Sequence, residues 1–181
     1  MYIHVPSAWM AMMCYCIIGF SSCGFLIWRS PMSNLIARTT APIGTGFALI
    51  TLVTGSIWGK PTWGTWWVWD ARLTSMLILF LFYVGYLSLL DIFKRKPNSV
   101  VPAVLAVFGL INVPIVKFSV DYWNSLHQPA SILRKNGPSI HPDMLWPLLI
   151  MFVFCFSFYL VILCIKIKTE LAEQKLKRNS K

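Results

Sequence analysis

The sequence is poor in charged residues. Only 12% of its 181 residues are Asp, Glu, Lys or Arg, against about 25% in an ordinary soluble domain. Hydrophobic residues make up 57% of the chain, and its mean hydropathy is +0.65. This composition excludes an ordinary soluble domain and indicates an integral membrane protein.

Five long apolar segments contain no Asp, Glu, Lys, Arg or His. Each has about 17–21 residues, the length that a helix needs to cross about 30 Å of hydrocarbon. Barrel strands would instead alternate apolar and polar residues. We therefore predict an all-α membrane protein, a polytopic bundle of five transmembrane helices. Pumping through the bundle is not expected, because it would need an ionisable group inside the membrane. The segments are Ala8–Trp28, Ala41–Trp58, Leu73–Leu90, Val100–Val116 and Leu145–Ile165.

Several catalytic and structural motifs are also missing. The run Gly55-Ser-Ile-Trp-Gly59-Lys60-Pro61 has the wrong spacing for a P-loop, so ATP hydrolysis by that motif is excluded. The five cysteines all lie in apolar segments and form no C-x-x-C pair. A disulfide framework is therefore not expected. No Ser-His-Asp or paired-carboxylate pattern stands out.

Basic residues give the chain its orientation. The net charge is +10, and eleven of the sixteen basic residues follow the first, third and fifth segments. By the positive-inside rule these stretches are cytoplasmic, including a basic tail over 166–181. The Trp-rich loop 59–72 and the loop 117–144 then face outward from one transmembrane domain, 1–181. This distribution predicts contact with membrane lipid and no nucleic-acid partner. It also places Met1 outside, which suggests that an earlier helix is missing.

Tryptophan is concentrated in the first outer loop. Five of the nine tryptophans lie between Trp58 and Trp69. An interfacial anchoring belt explains one or two tryptophans at a helix end, as at Trp9, Trp28 and Trp146. Five in twelve residues favour a flat aromatic platform for a flat apolar ligand. If the loop is partly helical, Trp63, Trp66 and Trp67 share one face.

All three histidines fall on the outer side. His4 opens the first apolar segment and His127 lies in the second outer loop, both beside aromatic or apolar residues. Imidazole is a common axial ligand of haem iron, so His4 and His127 form the candidate pair. A solvated loop residue is the alternative for each. His141, in a more polar stretch, is expected to be a loop residue only.

Two charged residues follow the tryptophans directly. Asp70 precedes the third segment, where it can cap a helix or act at a ligand. Arg72 and, more weakly, Lys60 are candidates for binding haem propionates, because arginine pairs with carboxylates. Snorkelling to the membrane surface is the alternative for both.

Three stretches resemble the cytochrome c maturation protein C (CcmC, haem exporter C) family. Trp63-Gly-Thr-Trp-Trp-Val-Trp-Asp-Ala-Arg-Leu-Thr74 resembles the "WWD" signature of haem-handling proteins in cytochrome c biogenesis. Tyr2-Ile-His-Val-Pro-Ser-Ala8 and Trp123-Asn-Ser-Leu-His-Gln128 resemble the two histidine-bearing outer loops of the family. The resemblance extends from Met1 to the basic tail.

The resemblance implies a six-helix protein, of which the first helix is absent here, that holds haem on its periplasmic face. His4 and His127 would be the axial ligands of a transiently bound haem b. Trp63, Trp66, Trp67 and Trp69 would form the platform, with Asp70 and Arg72 beside it. The implied partners are the ABC transporter subunits CcmA and CcmB, the small membrane protein CcmD and the haem chaperone CcmE. The implied location is a bacterial inner membrane, or a mitochondrial one.

Two other functions are open at this point. A haem lyase that attaches haem to apocytochrome would use the same tryptophan loop, although the chain offers only two substantial outer loops for docking. A bis-histidine membrane cytochrome usually carries its histidines within helices of a bundle. Because no apolar segment contains a histidine, this third function is disfavoured. Haem presentation without catalysis is therefore the expected role.

Overall fold

The computed structural model describes residues 1–94, 96, 98–123, 125–127 and 139–179, without the side chains of 177 and 178. Six α-helices lie within these ranges: α1 His4–Trp28, α2 Pro31–Trp63, α3 Ala71–Ile92, α4 Val101–Leu110, α5 Asn112–Tyr122 and α6 Pro142–Asn179. Parts of several predicted features lie outside the described residues, namely Arg95, Asn124, Gln128, the loop residues 129–138 and the tail residues Ser180 and Lys181.

The prediction of five membrane-spanning segments is confirmed. Within the described ranges, five helical segments are long and apolar enough to cross a membrane, with α4 and α5 together forming the fourth. Each helix extends beyond the apolar stretch that predicts it. The last of them continues to Asn179, so the basic tail begins as a helical extension, as expected.

The helix α2 extends beyond its apolar stretch at both ends. It continues through Lys60 and Pro61 and ends at Trp63, where Gly64 takes the left-handed conformation with φ +78°. Glycine is suited to that position because it has no Cβ. The Trp-rich loop is therefore confined to residues 64–70. The expected helical face shared by Trp63, Trp66 and Trp67 is wrong, because the helix ends before Trp66.

The fourth span is interrupted at Ile111. Pro114 lies in the first turn of α5, and its ring cannot approach the carbonyl four residues earlier, that of Leu110. The sequence predicts a kink just before Lys117, whereas the helix is interrupted at Ile111, about two turns before Lys117. The helix α5 then runs to Tyr122, which shortens the second outer connection to residues 123–141.

The core lies where α1 packs against α2, α3, α4 and α6. Fully buried side chains include Tyr15 of α1, Tyr83 of α3 and Tyr159 of α6. Tyr83 donates a hydrogen bond to the Ala11 carbonyl at 2.7 Å. Such interhelical bonds are worth about 0.6 kcal/mol in membranes. They fix the register of α1 and α3, and hence the height of the outer helix ends.

His4 is the first residue of α1. The expectation that no spanning helix contains a histidine is therefore wrong at this residue. The apolar stretch begins at Ala8, but Val5, Pro6 and Ser7 also fit the first turn, since proline is tolerated there. This placement attaches the imidazole to a rigid helix end.

Candidate functional site

His4 is held against α2 by its Nδ1 atom. Nδ1 lies 3.1 Å from the Thr51 carbonyl oxygen and 3.1 Å from the Thr54 hydroxyl oxygen. Because a carbonyl oxygen only accepts, the network assigns the ring hydrogen to Nδ1. In a neutral imidazole this leaves a lone pair on Nε2. The ring is therefore oriented as a ligand that binds through Nε2.

Two glycines of α2 make room for the rings at this end of the bundle. Thr51, Gly55, Gly59 and Trp63 recur every four residues and so lie along one face of α2. A Cβ at Gly55 would stand 2.9 Å from Cε1 of His4, and one at Gly59 would stand 3.1 Å from Cε3 of Trp63. A larger residue at either position would push a ring of the site away from α2.

Trp63 joins His127 to the same helix. Its ring meets the imidazole of His127 edge to face, with centroids 5.0 Å apart and planes at 67°. Trp58 also meets the Trp63 ring edge to face, with centroids 5.4 Å apart and planes at 83°. The outer end of α2 therefore contacts His4 through Thr51, Thr54 and Gly55, and His127 through Trp63.

Asp70 ties the second histidine loop to α3. It is the N-cap of α3, and its Oδ1 accepts a hydrogen bond from the Leu73 amide at 2.7 Å. Its Oδ2 accepts one from the Ser125 hydroxyl at 2.6 Å and lies 3.0 Å from Nδ1 of His127. The expected capping role is confirmed, and the contacts with Ser125 and His127 are additional. Sequence reasoning missed Ser125, although it lies two residues before His127.

The charges of this pair follow from their surroundings. Burial lowers the pKa of His127, and the hydrogen bond and charge of Asp70 offset this only in part. Burial raises the pKa of Asp70, but hydrogen bonds from Ser125, the Leu73 amide and His127 outweigh it, so the pKa of Asp70 is lowered. At neutral pH a carboxylate therefore accepts a hydrogen bond from a neutral imidazole. Nδ1 of His127 donates, and its Nε2 carries a lone pair.

The fold attaches both predicted histidines to α2, His4 at Thr51 and Thr54 and His127 at Trp63. Within the described part of the chain, no hydrogen-bond partner reaches Nε2 of either histidine, and no group of three or more His, Cys, Asp or Glu side chains could hold a bare metal ion. A porphyrin supplies four ligands of its own, so haem iron needs only axial ligands. The donor set fits haem better than a free metal ion.

The rings of the loop tryptophans do not stack on one another as a flat surface. Trp66 is 56% exposed and Trp69 is 76% exposed. Trp67 is half-buried and meets Trp69 edge to face at 5.6 Å and 78°. The expected flat platform is therefore not formed by these rings among themselves. Each exposed ring instead offers its own edge or face to a ligand.

Backbone contacts fix this loop on α2. The Ser56 hydroxyl donates to the Trp66 carbonyl at 2.6 Å, and Lys60 donates to the Gly64 carbonyl at 3.1 Å. The Lys60 ammonium also lies over the Trp66 ring, 5.9 Å from its centroid. Lys60 thus has a structural role in the loop, and its three donors leave capacity for an anion.

Arg72 connects the first turn of α3 to α5. Its guanidinium donates to the Lys117 carbonyl at 3.3 Å, and the carboxylates of Asp121 and Asp70 act on its charge. A guanidinium has five N–H donors, so this contact does not exhaust it. Arg72 lies two residues after Asp70, which contacts His127, and retains donors that a carboxylate could use.

His141 is unlike the other two histidines. It is exposed and lies 3.4 Å from the exposed carboxylate of Asp143. It makes the local contact expected of a loop residue.

Together these features define a polytopic helical membrane protein that carries two oriented histidines and a tryptophan-rich loop at one end of its bundle. The chain belongs to the heme exporter protein C (CcmC) family, whose sequence profile matches residues 1–181.

Curated relatives agree with this family. "Heme exporter protein C" of Bradyrhizobium diazoefficiens is 50% identical over 154 residues, covering 83% of this chain and 58% of the relative. The protein of the same name in Haemophilus influenzae is 40% identical over 179 residues, covering 98% and 73%. A "putative cytochrome c biosynthesis ccmC-like mitochondrial protein" of Marchantia polymorpha is 50% identical over 151 residues, covering 83% and 64%. The matched part of the chain thus spans about 58–73% of the length of these relatives.

Proposed function

We propose that this chain binds haem at the outer end of its bundle and presents it for cytochrome c biogenesis. One observation carries the proposal: His4 packs on α2 at Thr51, His127 packs on α2 at Trp63, and each has its Nδ1 atom bonded to an acceptor. That arrangement directs both Nε2 lone pairs away from the protein acceptors. Imidazoles oriented in this way are the usual axial ligands of haem iron.

The residues around the histidines have distinct roles in this proposal. Asp70 makes His127 more basic and fixes its tautomer, as carboxylates do for metal-binding histidines. The exposed rings of Trp66 and Trp69, with Trp63 and Trp67 behind them, provide the apolar surface for the porphyrin. Arg72 and Lys60 supply positive charge for the propionates. Haem b is the cargo in this proposal, and its reactivity is not used by the chain.

The relatives' names support a role in transport or presentation rather than catalysis. In the proposed pathway the chain works with the ABC transporter subunits CcmA and CcmB and with CcmD, and it passes haem to the chaperone CcmE. The location is a bacterial inner membrane or its mitochondrial counterpart, since both kinds of relative exist. The lyase function would use the same site, and no described residue favours it over presentation.

The test is the visible absorption spectrum of the purified protein and of single histidine variants. We expect a Soret band that weakens in His4→Ala and in His127→Ala. The control His141→Ala removes an exposed histidine of the same outer side and should keep full haem occupancy. Full retention in both His4→Ala and His127→Ala would reject the ligand assignment. Thioether formation on apocytochrome by the isolated protein would favour the lyase instead.

A further inference from the structure

A groove runs between α2 and α6, from Ile50, next to the turn of α2 that holds His4, toward Lys166. It has a volume of about 310 Å³ and is almost entirely apolar. Its walls include Ile43, Gly46 and Ile50 of α2 and Phe158 and Ile162 of α6, and Lys166 closes one end. It is thus an open apolar groove on the surface of the bundle with one cationic end.

The length of the groove matches one leaflet of a bilayer. On α2 it extends from Pro42 to Ile50, and on α6 from Lys166 back to Phe158. Eight residues of helix rise about 12 Å, whereas half of the hydrocarbon core is about 15 Å thick. Lys166 is the first charged residue after the last apolar segment. The groove therefore starts at headgroup level and ends near the middle of the membrane.

Two side-chain contacts join α2 and α6 beside the groove. The hydroxyls of Thr40 and Tyr159 share a buried hydrogen bond of 3.2 Å. Arg38, two residues before Thr40, lies 3.4 Å from Glu170, which is eleven residues after Tyr159. Glu170 balances the charge of Arg38, and Lys166 leaves a net positive charge where the groove opens.

Gly46 keeps the middle of the groove empty. A Cβ at this position would meet nothing within 4 Å. Glycine is therefore not required here by a close approach of α6, unlike Gly44, where a Cβ would collide with Tyr83. The space over Gly46 is available to a molecule from outside the chain.

We propose that this groove binds one acyl chain of an anionic phospholipid, with the lipid phosphate at Lys166. The apolar walls, the one-leaflet length and the cationic end together match such a lipid, because basic pockets between transmembrane helices attract anionic headgroups. A transmembrane helix of a partner protein would fill the groove without requiring its charge. The positive-inside rule places Lys166 in the cytoplasmic leaflet. This inference is independent of the haem site.

Native mass spectrometry of the full chain in mild detergent tests the proposal with two probes, dioleoyl phosphatidylglycerol and dioleoyl phosphatidylcholine. We expect the unaltered protein to retain phosphatidylglycerol preferentially. Lys166→Gln should weaken that retention about fivefold, because the lipid phosphate loses the cationic side chain that lines the groove. Its control, Lys168→Gln, removes an exposed lysine outside the groove lining and should change little. Gly46→Leu should fill the groove and abolish retention of both lipids.

A second control separates filling of the groove from general damage. Val153→Leu adds volume to an exposed position of α6 and should leave lipid retention and thermal unfolding unchanged. Equal retention of the two lipids by the unaltered protein would overturn the proposal, as would equal effects of Lys166→Gln and Lys168→Gln. Unchanged retention in Gly46→Leu would also overturn it. If Gly46→Leu instead prevented co-purification of a second protein, the groove would be a protein interface.

Discussion

The carboxylate of Asp70 lies 3.0 Å from Nδ1 of His127, across 57 residues of sequence. The same carboxylate caps α3 through the Leu73 amide. One side chain therefore stabilises a helix end and sets the tautomer of a candidate ligand.

This relationship predicts a binding defect in Asp70→Asn. The side-chain oxygen of an asparagine can still accept a hydrogen bond from the Leu73 amide. Its NH2 group can also donate to His127, so the side chain no longer fixes the ring hydrogen of His127 on Nδ1. We expect haem affinity, measured by absorbance titration, to fall about tenfold or more, as for other residues that orient metal ligands. Asp143→Asn removes the exposed partner of His141 and serves as the matched control. Equal affinities of the two variants would contradict the assigned role of Asp70.

A second prediction concerns the space that Gly55 leaves for His4. In Gly55→Ala the new methyl group would stand 2.9 Å from Cε1 of His4, so the ring must shift away from Thr51 and Thr54. We expect haem affinity to fall by about tenfold while the protein stays folded. Gly46→Ala makes the same change in α2 where a Cβ meets nothing within 4 Å. A defect of the same size in Gly46→Ala would show that the effect is not local to His4.

A third prediction separates ligand contact from membrane anchoring among the tryptophans. Because Trp66 and Trp69 are largely exposed, Trp66→Ala and Trp69→Ala should lower haem affinity about two- to tenfold each, the range for one aromatic contact. The melting temperature should change little. Trp28→Ala removes a ring that is 75% exposed at the opposite end of the bundle and should not alter haem binding. Identical results for all three variants would favour an interfacial belt.

A fourth prediction tests the packing of α1 on α4. A Cβ at Gly109 would collide with the hydroxyl of Tyr15. We expect Gly109→Ala to lower the free energy of unfolding by about 1–3 kcal/mol through overpacking. That buried hydroxyl has no hydrogen-bond partner among the residues the structure describes, so Tyr15→Phe should be neutral or stabilising. The double variant should recover only part of the loss in thermal unfolding, because Cζ and Cε1 of the ring would still lie within 3 Å of the added Cβ. A loss in the double variant as large as in Gly109→Ala alone would rule out this collision.

The sequence predicts the five spans well because apolar runs of membrane length are a strong signal. It places the end of α2 five residues too early, at Trp58 rather than Trp63, because hydropathy follows the membrane and not the helix. Lys60 and Pro61 are polar or helix-disfavouring residues, yet they fit the last turn of a helix that projects beyond the apolar region.

The site is only partly predictable from sequence. The composition of the Trp-rich loop and the position of the histidines select His4 and His127 as candidates, and the fold brings both to the outer end of α2. The contact between Asp70 and His127 depends on how α3 and the 125–127 segment meet, which no local pattern encodes. The regular spacing of Gly55 and Gly59 is a local signal, and it could have indicated rings packed on that helix face.

The two candidate ligands, His4 and His127, belong to different kinds of backbone segment. His4 belongs to a helix of 25 residues. His127 instead follows the end of α5, and two side chains attach its segment to the Asp70 carboxylate, those of His127 and Ser125. Detaching His127 breaks those contacts but leaves Asp70 capping α3, so the helix need not fray. Releasing His127 therefore requires no helix to unfold, whereas displacing His4 would disturb the first turn of α1. If the chain binds haem as proposed, we expect the bond to His127 to break first.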